Sequence, residues 1–368
     1  MDSVLLAVGG FLGPVSRADV MMVTMPSTTP GLVCAHHHLY SSLARGMPAP
    51  PRVPRSFREI LELVWWRLDQ ALDLEMIRWS AKLGALEALE RGTTAIVDHH
   101  ASPKAIEGSL AVIADACREV GVRIATCYEV TDRHGLEGAK AGLAENERHL
   151  KSSDSKGPRY VGAHACFTLS DETLDAVCSL ASELDAGVHI HVAEGPEDVE
   201  AGRRLESRSR GSWLLAHAVH LDRDLPGTIA HNPLSNMNNS VGYAFPATKK
   251  NRIVLGSDGI GADMIESFRM AYLRQREADV TASPETAWKW LEAGWELFPE
   301  AREDRVIWSY DPMDPWHLAY TPGVRPLHIE VAGETVLRDG VPTRVDPIEI
   351  RRRADEQKRR LFSRLAGC

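Results

Sequence analysis

The stretch Gly31-Leu-Val-Cys-Ala-His36-His37-His38 is a short apolar run that ends in three consecutive histidines. A run of this length and composition is typical of a buried strand. Seven other apolar runs also end in polar residues, and the eight run ends lie at positions 38, 98, 128, 164, 191, 217, 231 and 258. Most neighbouring ends are 26 to 36 residues apart, which is the length of a strand, a helix and two short loops. The sequence therefore predicts repeated βα units.

Eight strands that alternate with helices, each with polar groups at its carboxyl end, predict an α/β fold of the (β/α)8 TIM-barrel type. We expect the barrel to span residues 30–299. The long interval between ends 38 and 98 leaves room for an insertion at 49–72 that forms a lid, whereas the interval from 217 to 231 leaves little room for a helix. The reactive groups of such a barrel lie at the carboxyl ends of its strands.

Composition and charge exclude several classes of protein. The 368 residues include 42 Lys+Arg and 51 Asp+Glu, a net charge of −9, so we expect a small-molecule substrate and no nucleic-acid partner. Six cysteines without a C-x-x-C pair predict a reducing, cytoplasmic location. Residues 1–15 are apolar but lack a basic leading segment and are too short to span a bilayer, so neither a secretion signal nor a membrane anchor is predicted.

The histidine spacing predicts a metal site. Side chains alternate faces along a strand, so His36 and His38 point together while His37 points away. The run His189-Ile-His191 repeats this spacing on a later strand, and Asp258 adds a carboxylate. Three imidazoles and one carboxylate suit one divalent ion, Zn²⁺ or Fe²⁺, with a position left for water, whose pKa such an ion lowers to about 7. Glu194 follows the strand of His191 and is placed to move protons.

Together, six motifs resemble the amidohydrolase superfamily, in its branch of mononuclear-metal aminohydrolases and chlorohydrolases that includes cytosine deaminase and guanine deaminase. They are Pro30–His38, Gly92–Asp98, His189–Glu194, Leu215–His220, His231–Asn236 and Leu255–Gly259. The resemblance covers nearly the whole chain. Three longer runs are similar to the SsnA-like aminohydrolases of this branch, namely 65–69, 127–133 and 231–242.

The resemblance implies a role for each of these residues. The metal ligands would be His36, His38, His191 and Asp258, and the proton-handling groups Glu194, His217 and again Asp258. His164 would face the substrate. No lysine stands at the end of the fourth strand, so the resemblance implies one metal ion rather than two.

Other residues near the strand ends are weaker candidates. We predict substrate contacts for Trp66 in the insertion, for His100 after the second strand and for Met47 after the first. Four further histidines are expected to pack or to support a ligand rather than to react, and these are His37, His99, His189 and His220.

Both ends of the chain depart from the family pattern, whose members carry a small β-sandwich built from the two termini. Only about 29 residues precede the predicted barrel, so we expect a reduced β subdomain from residues 1–29 and 300–345. Its hairpin turns are predicted at Gly333-Glu334 and Asp339-Gly340, and a charged helix at 346–368. A homodimer is expected, because a second copy would cover what the reduced subdomain leaves open.

The predicted function is metal-dependent hydrolysis of a C–N bond, in the form of deamination of a heteroaromatic amine or of an amidine- or guanidine-like small molecule with release of ammonia. The same residues are also compatible with hydrolysis of a cyclic amide or with hydrolytic dehalogenation in a specialised biosynthetic pathway. A non-catalytic metal-binding accessory factor is the alternative outside enzymology. The intact set of six predicted ligands and proton carriers argues against it.

Overall fold

A computed structural model describes residues 27–152, 157–310 and 313–367 of the chain. Eight parallel strands follow one another in chain order, in one sheet of three strands and one of five. The eight are β2 (Leu32–His37), β3 (Thr93–His100), β4 (Arg123–Tyr128), β5 (Tyr160–Ala165), β6 (Gly187–Val192), β7 (Leu214–His217), β8 (Thr228–His231) and β9 (Arg252–Leu255). Together with the alternating helices they form the α/β, TIM-barrel-like fold that the run ends predicted.

The two parallel sheets meet at two seams, each marked by an isolated parallel bridge. Val130 bridges Ala163 where β4 approaches β5, and His37 bridges Asp258 where β9 approaches β2. A glycine stands at each seam. A Cβ on Gly162 would lie 2.3 Å from the Tyr128 carbonyl oxygen, and one on Gly256 would lie 2.9 Å from that of His36. Only residues without a side chain permit these close approaches.

Helices connect the strands and cover the outside of the barrel. They are α1 (Phe57–Ile60), α2 (Trp66–Ala71), α3 (Leu74–Leu89), α4 (Ser109–Val120), α5 (Gly135–Ser152), α6 (Asp171–Glu183), α7 (Ala201–Leu205), α8 (Pro233–Asn238), α9 (Met264–Ala278), α10 (Pro284–Glu292), α11 (Gly294–Leu297), α12 (Pro315–Tyr320) and α13 (Pro347–Ala366). A five-residue π-helical turn, Leu61–Trp65, joins α1 to α2. No helix lies between β7 and β8, as the short interval predicted.

The segment after β6 forms a 3₁₀ turn at Pro196–Asp198 and then the short helix α7, rather than one continuous helix. The physical reason is the carboxylate of Asp198, which accepts hydrogen bonds from the backbone N–H groups of Ala193 (2.8 Å) and Phe167 (2.9 Å). These bonds hold the turn against the barrel.

A small antiparallel sheet lies beside the barrel. Its strands, in spatial order, are β1 (Thr28–Thr29), β10 (Arg305–Trp308), β11 (Pro326–Val331), β12 (Glu334–Arg338) and β13 (Val341–Pro342). The turns after β11 and β12 use residues with positive φ, namely Ala332-Gly333 and Asp339-Gly340. Residues 1–26 of the predicted subdomain lie outside the described residues, and the domain boundaries stay a prediction.

Helix α13 packs against α3, and its side chains also reach the insertion before α3. Among the described residues, no helix is both long and apolar enough to cross a bilayer.

Candidate metal centre and active site

The four predicted ligands come together at the carboxyl ends of β2, β6 and β9. The Asp258 Oδ1 atom lies 2.8 Å from His38 Nε2 and 3.4 Å from His36 Nε2. His191 Nε2 lies 3.3 Å from His38 Nε2. All three histidines are less than 10% exposed. The strand pattern thus places three imidazoles and one carboxylate around a common point, with the alternation of His36 and His38 as predicted.

In each ligand histidine, the Nδ1 atom makes a hydrogen bond to another group of the protein. His38 Nδ1–H donates to the backbone carbonyl of His99 (2.5 Å), and His191 Nδ1–H donates to that of His164 (2.8 Å). The Nδ1 atom of His36 lies 2.8 Å from Nε2 of His189. Because a neutral imidazole carries one N–H, an Nδ1–H leaves the Nε2 lone pair free for an ion.

Asp258 is held in place from several sides. Ser235 donates its hydroxyl to Asp258 Oδ2, and His37 Nδ1–H donates to the Asp258 backbone carbonyl at 2.5 Å. His37 therefore supports the metal site from behind. Ala193, His217 and Asp258 all have left-handed backbone conformations, with φ of 46°, 73° and 57°. Non-glycine residues adopt this conformation rarely, and it clusters at functional sites.

The predicted proton carriers stand beside the ligands. His217 Nε2 lies 3.5 Å from Glu194 Oε2 and 4.0 Å from Asp258 Oδ2, and its Nδ1–H donates to Asn236 Oδ1 (2.8 Å). Burial raises the pKa of the Glu194 carboxyl to about 7, with His217 opposing and Asp258 adding to the rise. Asn239 donates to Glu194 Oε1 at 3.2 Å. A carboxyl group with this pKa can both accept and return a proton near neutral pH.

The donor set fits a divalent ion. Nε2 of His36 and Nε2 of His217 are buried and have no hydrogen-bond partner among the described residues, which is costly unless something binds them. Four residues each place one possible ligand atom within 4.8 Å of the others, and these are His36, His191, His217 and Asp258. The residues present therefore fit the metal that the motifs predicted.

A cavity opens over this centre. Its wall includes His38, His191, Glu194 and Asp258 on the barrel side. The insertion supplies the opposite wall through Phe57, Leu61, Trp65, Trp66 and Asp69.

Of the predicted substrate contacts, His164 and Trp66 line the cavity, but His100 and Met47 do not. Substrate contact by these two residues stays a prediction that the cavity lining does not support. His100 is fully buried and its Nε2 lies 2.8 Å from Ser102 Oγ, while Met47 packs against the apolar core.

Three charged residues of the cavity wall were missed as site residues, namely Glu129, Arg133 and Asp69. Glu129 Oε1 lies 3.2 Å from His38 Nδ1. The Arg133 guanidinium lies 3.4 Å from Asp69 Oδ2 and 4.5 Å from the centre of the Trp66 ring. Burial raises the pKa of the Asp69 carboxyl to about 7. Glu129 and Arg133 stand in the 127–133 run that carries part of the family resemblance, and this was the available signal.

Comparison with known proteins identifies the family of the chain. The model of the amidohydrolase family matches residues 28–293, so the chain belongs to this family, as its motifs indicated. It is 30% identical to a 5'-deoxyadenosine deaminase from Methanopyrus kandleri over 66% of this chain and 61% of that protein. It is 27% identical to a 5-methylthioadenosine/S-adenosylhomocysteine deaminase from Desulforudis audaxviator over 96% of this chain and 91% of that protein.

Solved structures share the fold at lower identity. An adenosine deaminase from Xanthomonas campestris with bound zinc has a TM-score of 0.74 and 19% identity, over 92% of this chain and 86% of that one. An atrazine chlorohydrolase from Arthrobacter aurescens in complex with zinc has a TM-score of 0.76 and 19% identity, over 90% and 88%. Family, fold and donor set together support a divalent metal in this chain.

Proposed function

We propose that this protein is a metal-dependent aminohydrolase that removes an amino group from a heteroaromatic ring by hydrolysis and releases ammonia. The observation that carries the proposal is the convergence of His36, His38, His191 and Asp258 on one point, with Glu194 and His217 beside it. Relatives named as deaminases of adenosine derivatives support a purine or purine nucleoside as the first substrate class to test.

The chain's own residues divide the work. A Zn²⁺ ion held by His36, His38, His191 and Asp258 would supply Lewis acidity and lower the pKa of water to about 7. Glu194 takes one proton from the attacking water and gives it to the ring nitrogen next to the reacting carbon. It then carries the second proton, from the hydroxyl group now on that carbon, to the departing amine. His217, whose Nδ1–H is held by Asn236, accepts a hydrogen bond from the water at Nε2. Asp258 shares this task through the carboxylate oxygen nearer to His217.

The lining of the cavity supports a small, planar amine as the substrate. Aromatic residues of the insertion and of the segment after β5 line it, namely Phe57, Trp66 and Phe167, and the three belong to one apolar cluster. Such walls exclude water and bury a flat ring well. His164 at the end of β5 is the barrel residue that we assign to substrate contact, since it lines this space directly.

The test combines elemental analysis with a screen for ammonia release over purines, purine nucleosides, pyrimidines, pterins and guanidino compounds. We expect about one zinc per chain and ammonia from one substrate class. In Glu194→Gln, which keeps the size of the side chain, kcat should fall about 10²- to 10⁴-fold while zinc content is unchanged. Bound zinc with ring opening or halide release instead of ammonia would overturn deamination, and absence of metal affinity would overturn the site. Zinc rather than Fe²⁺, a cytoplasmic location and a homodimer stay predictions.

A further inference from the structure

One of the three ligand histidines is oriented differently from the others. His38 and His191 donate their Nδ1–H groups to backbone carbonyls, which can only accept. The partner of His36 Nδ1 is instead Nε2 of His189, at 2.8 Å. A histidine nitrogen can either donate or accept, so the contact alone leaves the tautomer of His36 undetermined. If His189 donated, the N–H of His36 would sit on Nε2 and would block the ion.

The next residue inward resolves this ambiguity. Cys127 Sγ lies 3.7 Å from His189 Nδ1 and also 3.7 Å from the backbone carbonyl oxygen of Asp98. A carbonyl oxygen only accepts, so the thiol proton of Cys127 points to Asp98. The sulfur lone pairs are then left to accept from His189 Nδ1–H. His189 must in turn accept at Nε2, and His36 must carry its proton on Nδ1.

The surroundings keep these three side chains in place. His36, His189 and Cys127 are each at most 1% exposed, inside the barrel below the metal centre. His189 stacks on His99, with ring centres 4.2 Å apart and planes 17° apart. Burial keeps the pKa of the Cys127 thiol well above its ordinary value, so that the sulfur remains a neutral thiol. At this burial, bulk solvent does not compete for the nitrogen atoms.

From this geometry we infer that His189 and Cys127 are positioning residues for the metal: through a directed series of hydrogen bonds from His36 to His189 to Cys127 to the Asp98 carbonyl, they fix His36 in the tautomer that exposes its Nε2 lone pair. This inference rests on the proposed metal site but concerns residues outside it. The two side chains touch neither substrate nor ion.

The test measures zinc affinity, not activity, by competition with a chelator of known affinity. His189→Leu should weaken zinc binding about 10- to 100-fold, as is typical for loss of a partner behind a ligand. His189→Gln, whose side-chain amide oxygen lies near the former Nε2 position, should recover most of the affinity. Cys127→Ala should weaken binding and Cys127→Ser should not. His231→Leu is the matched control, since His231 is equally buried at a strand end but contacts no predicted ligand.

Four results distinguish the alternatives. Folded His189→Leu with the zinc affinity of the wild type would overturn the inference alone, and wild type without zinc affinity would overturn the metal site as well. Two zinc ions per wild-type chain, with one lost in Cys127→Ala, would assign His99, Cys127 and His189 to a second metal site instead. Histidine-selective ¹⁵N spectra of the zinc-loaded wild type show which nitrogen of His189 carries the proton. They need no variant, so misfolding cannot affect the result. His189 must be protonated on Nδ1, and protonation on Nε2 would refute the hydrogen-bond series.

Discussion

At the scale of single residues, the metal centre depends on protein groups that orient the predicted ligands without contacting the ion. The carbonyls of His99 and His164 orient two ligand rings, and Ser235 and His37 hold Asp258. Each contact occupies one atom of the ligand side chain or its backbone and leaves another side-chain atom free to bind the ion. Preorganisation of this kind lowers the cost of binding an ion, because the ligands lose little freedom when it arrives.

Asn236 provides the first prediction at this scale. Its Oδ1 accepts from His217 Nδ1–H at 2.8 Å, and both residues are at most 2% exposed. Asn236→Ala removes the acceptor, so His217 can turn and can protonate on the wrong nitrogen. We expect kcat to fall about 10- to 100-fold with zinc content and folding unchanged. Steady-state kinetics with elemental analysis checks this, and an unchanged kcat would show that His217 needs no orientation.

The sequence predicted the ligands and expected His37 and His189 to pack or to support them, but it missed Glu129 beside His38, for a physical reason. Alternation along a strand is a local property, so His36 and His38 could be assigned to one face from their spacing alone. Glu129, in contrast, lies 91 positions after His38 in the chain, and its contact with His38 depends on how β4 pairs with β3, which in turn pairs with β2. The orientation of the His100 side chain could not be predicted for the same reason, since it lies against Ser102.

At the scale of elements, the insertion between β2 and β3 completes the cavity. Its residues come from α1, the π-helical turn and α2, which the sequence indicated only as an insertion that forms a lid. Such π-helical turns occur frequently at functional sites. Here the turn ends at Trp65 and is followed directly by Trp66, and both residues line the cavity.

Trp66 should contribute to substrate affinity through its N–H group. The guanidinium groups of Arg58 and Arg133 lie 4.8 and 4.5 Å from the ring centre, so they cover ring surface that a substrate would otherwise contact. Its buried Nε1–H has no partner among the described residues. Trp66→Phe should therefore raise KM about 2- to 10-fold, which corresponds to one hydrogen bond of about 0.5–1.5 kcal/mol, with kcat nearly unchanged.

Trp79→Phe is the matched control for Trp66. Trp79 also lies near two cations, with Lys82 4.8 Å and Arg353 5.9 Å from the ring centre, but it faces away from the cavity and donates to Glu75. Its replacement should leave KM unchanged. Equal effects of the two substitutions would mean that Trp66 acts through stability and not through substrate contact.

The C-terminal helix should influence substrate affinity through α2. Arg364 donates to the backbone carbonyl of Ala71 at 2.7 Å and pairs with Asp73 at 2.6 Å, where α2 ends. Arg364→Ala should loosen the wall that carries Trp66 and raise KM, with a stability change of at most about 1 kcal/mol because the pair is partly exposed. Arg352→Ala is the control, since Arg352 pairs within α13 only with Glu349 and Glu356. Equal KM values for the two variants would contradict this coupling between α13 and α2.

At the scale of the whole molecule, the barrel was the most predictable feature and its seams the least. Eight apolar runs with polar ends gave the strands in order, because each run is a local pattern. The seams depend on contacts between distant segments, such as Gly256 against the His36 carbonyl. These contacts bring Asp258, which follows the last strand, to the histidines of the first strand. The approach of β9 to β2 therefore also assembles the ligand set.

The barrel interior should make the protein sensitive to acid. Burial lowers the pKa of His100 and of His231 to about 3, whereas an unfolded histidine titrates near its ordinary value of 6.5. Between these values the unfolded chain binds more protons, so the free energy of unfolding falls as pH falls below 6.5. At pH 5 each group should destabilise the fold by about 2 kcal/mol relative to pH 7. His231→Phe, which cannot bind a proton, should lose about 2 kcal/mol less than the wild type between these pH values in denaturant titrations. Because both proteins keep the same predicted ligands, loss of metal at low pH affects them alike, and parallel pH curves would show that His231 is protonated in the folded state.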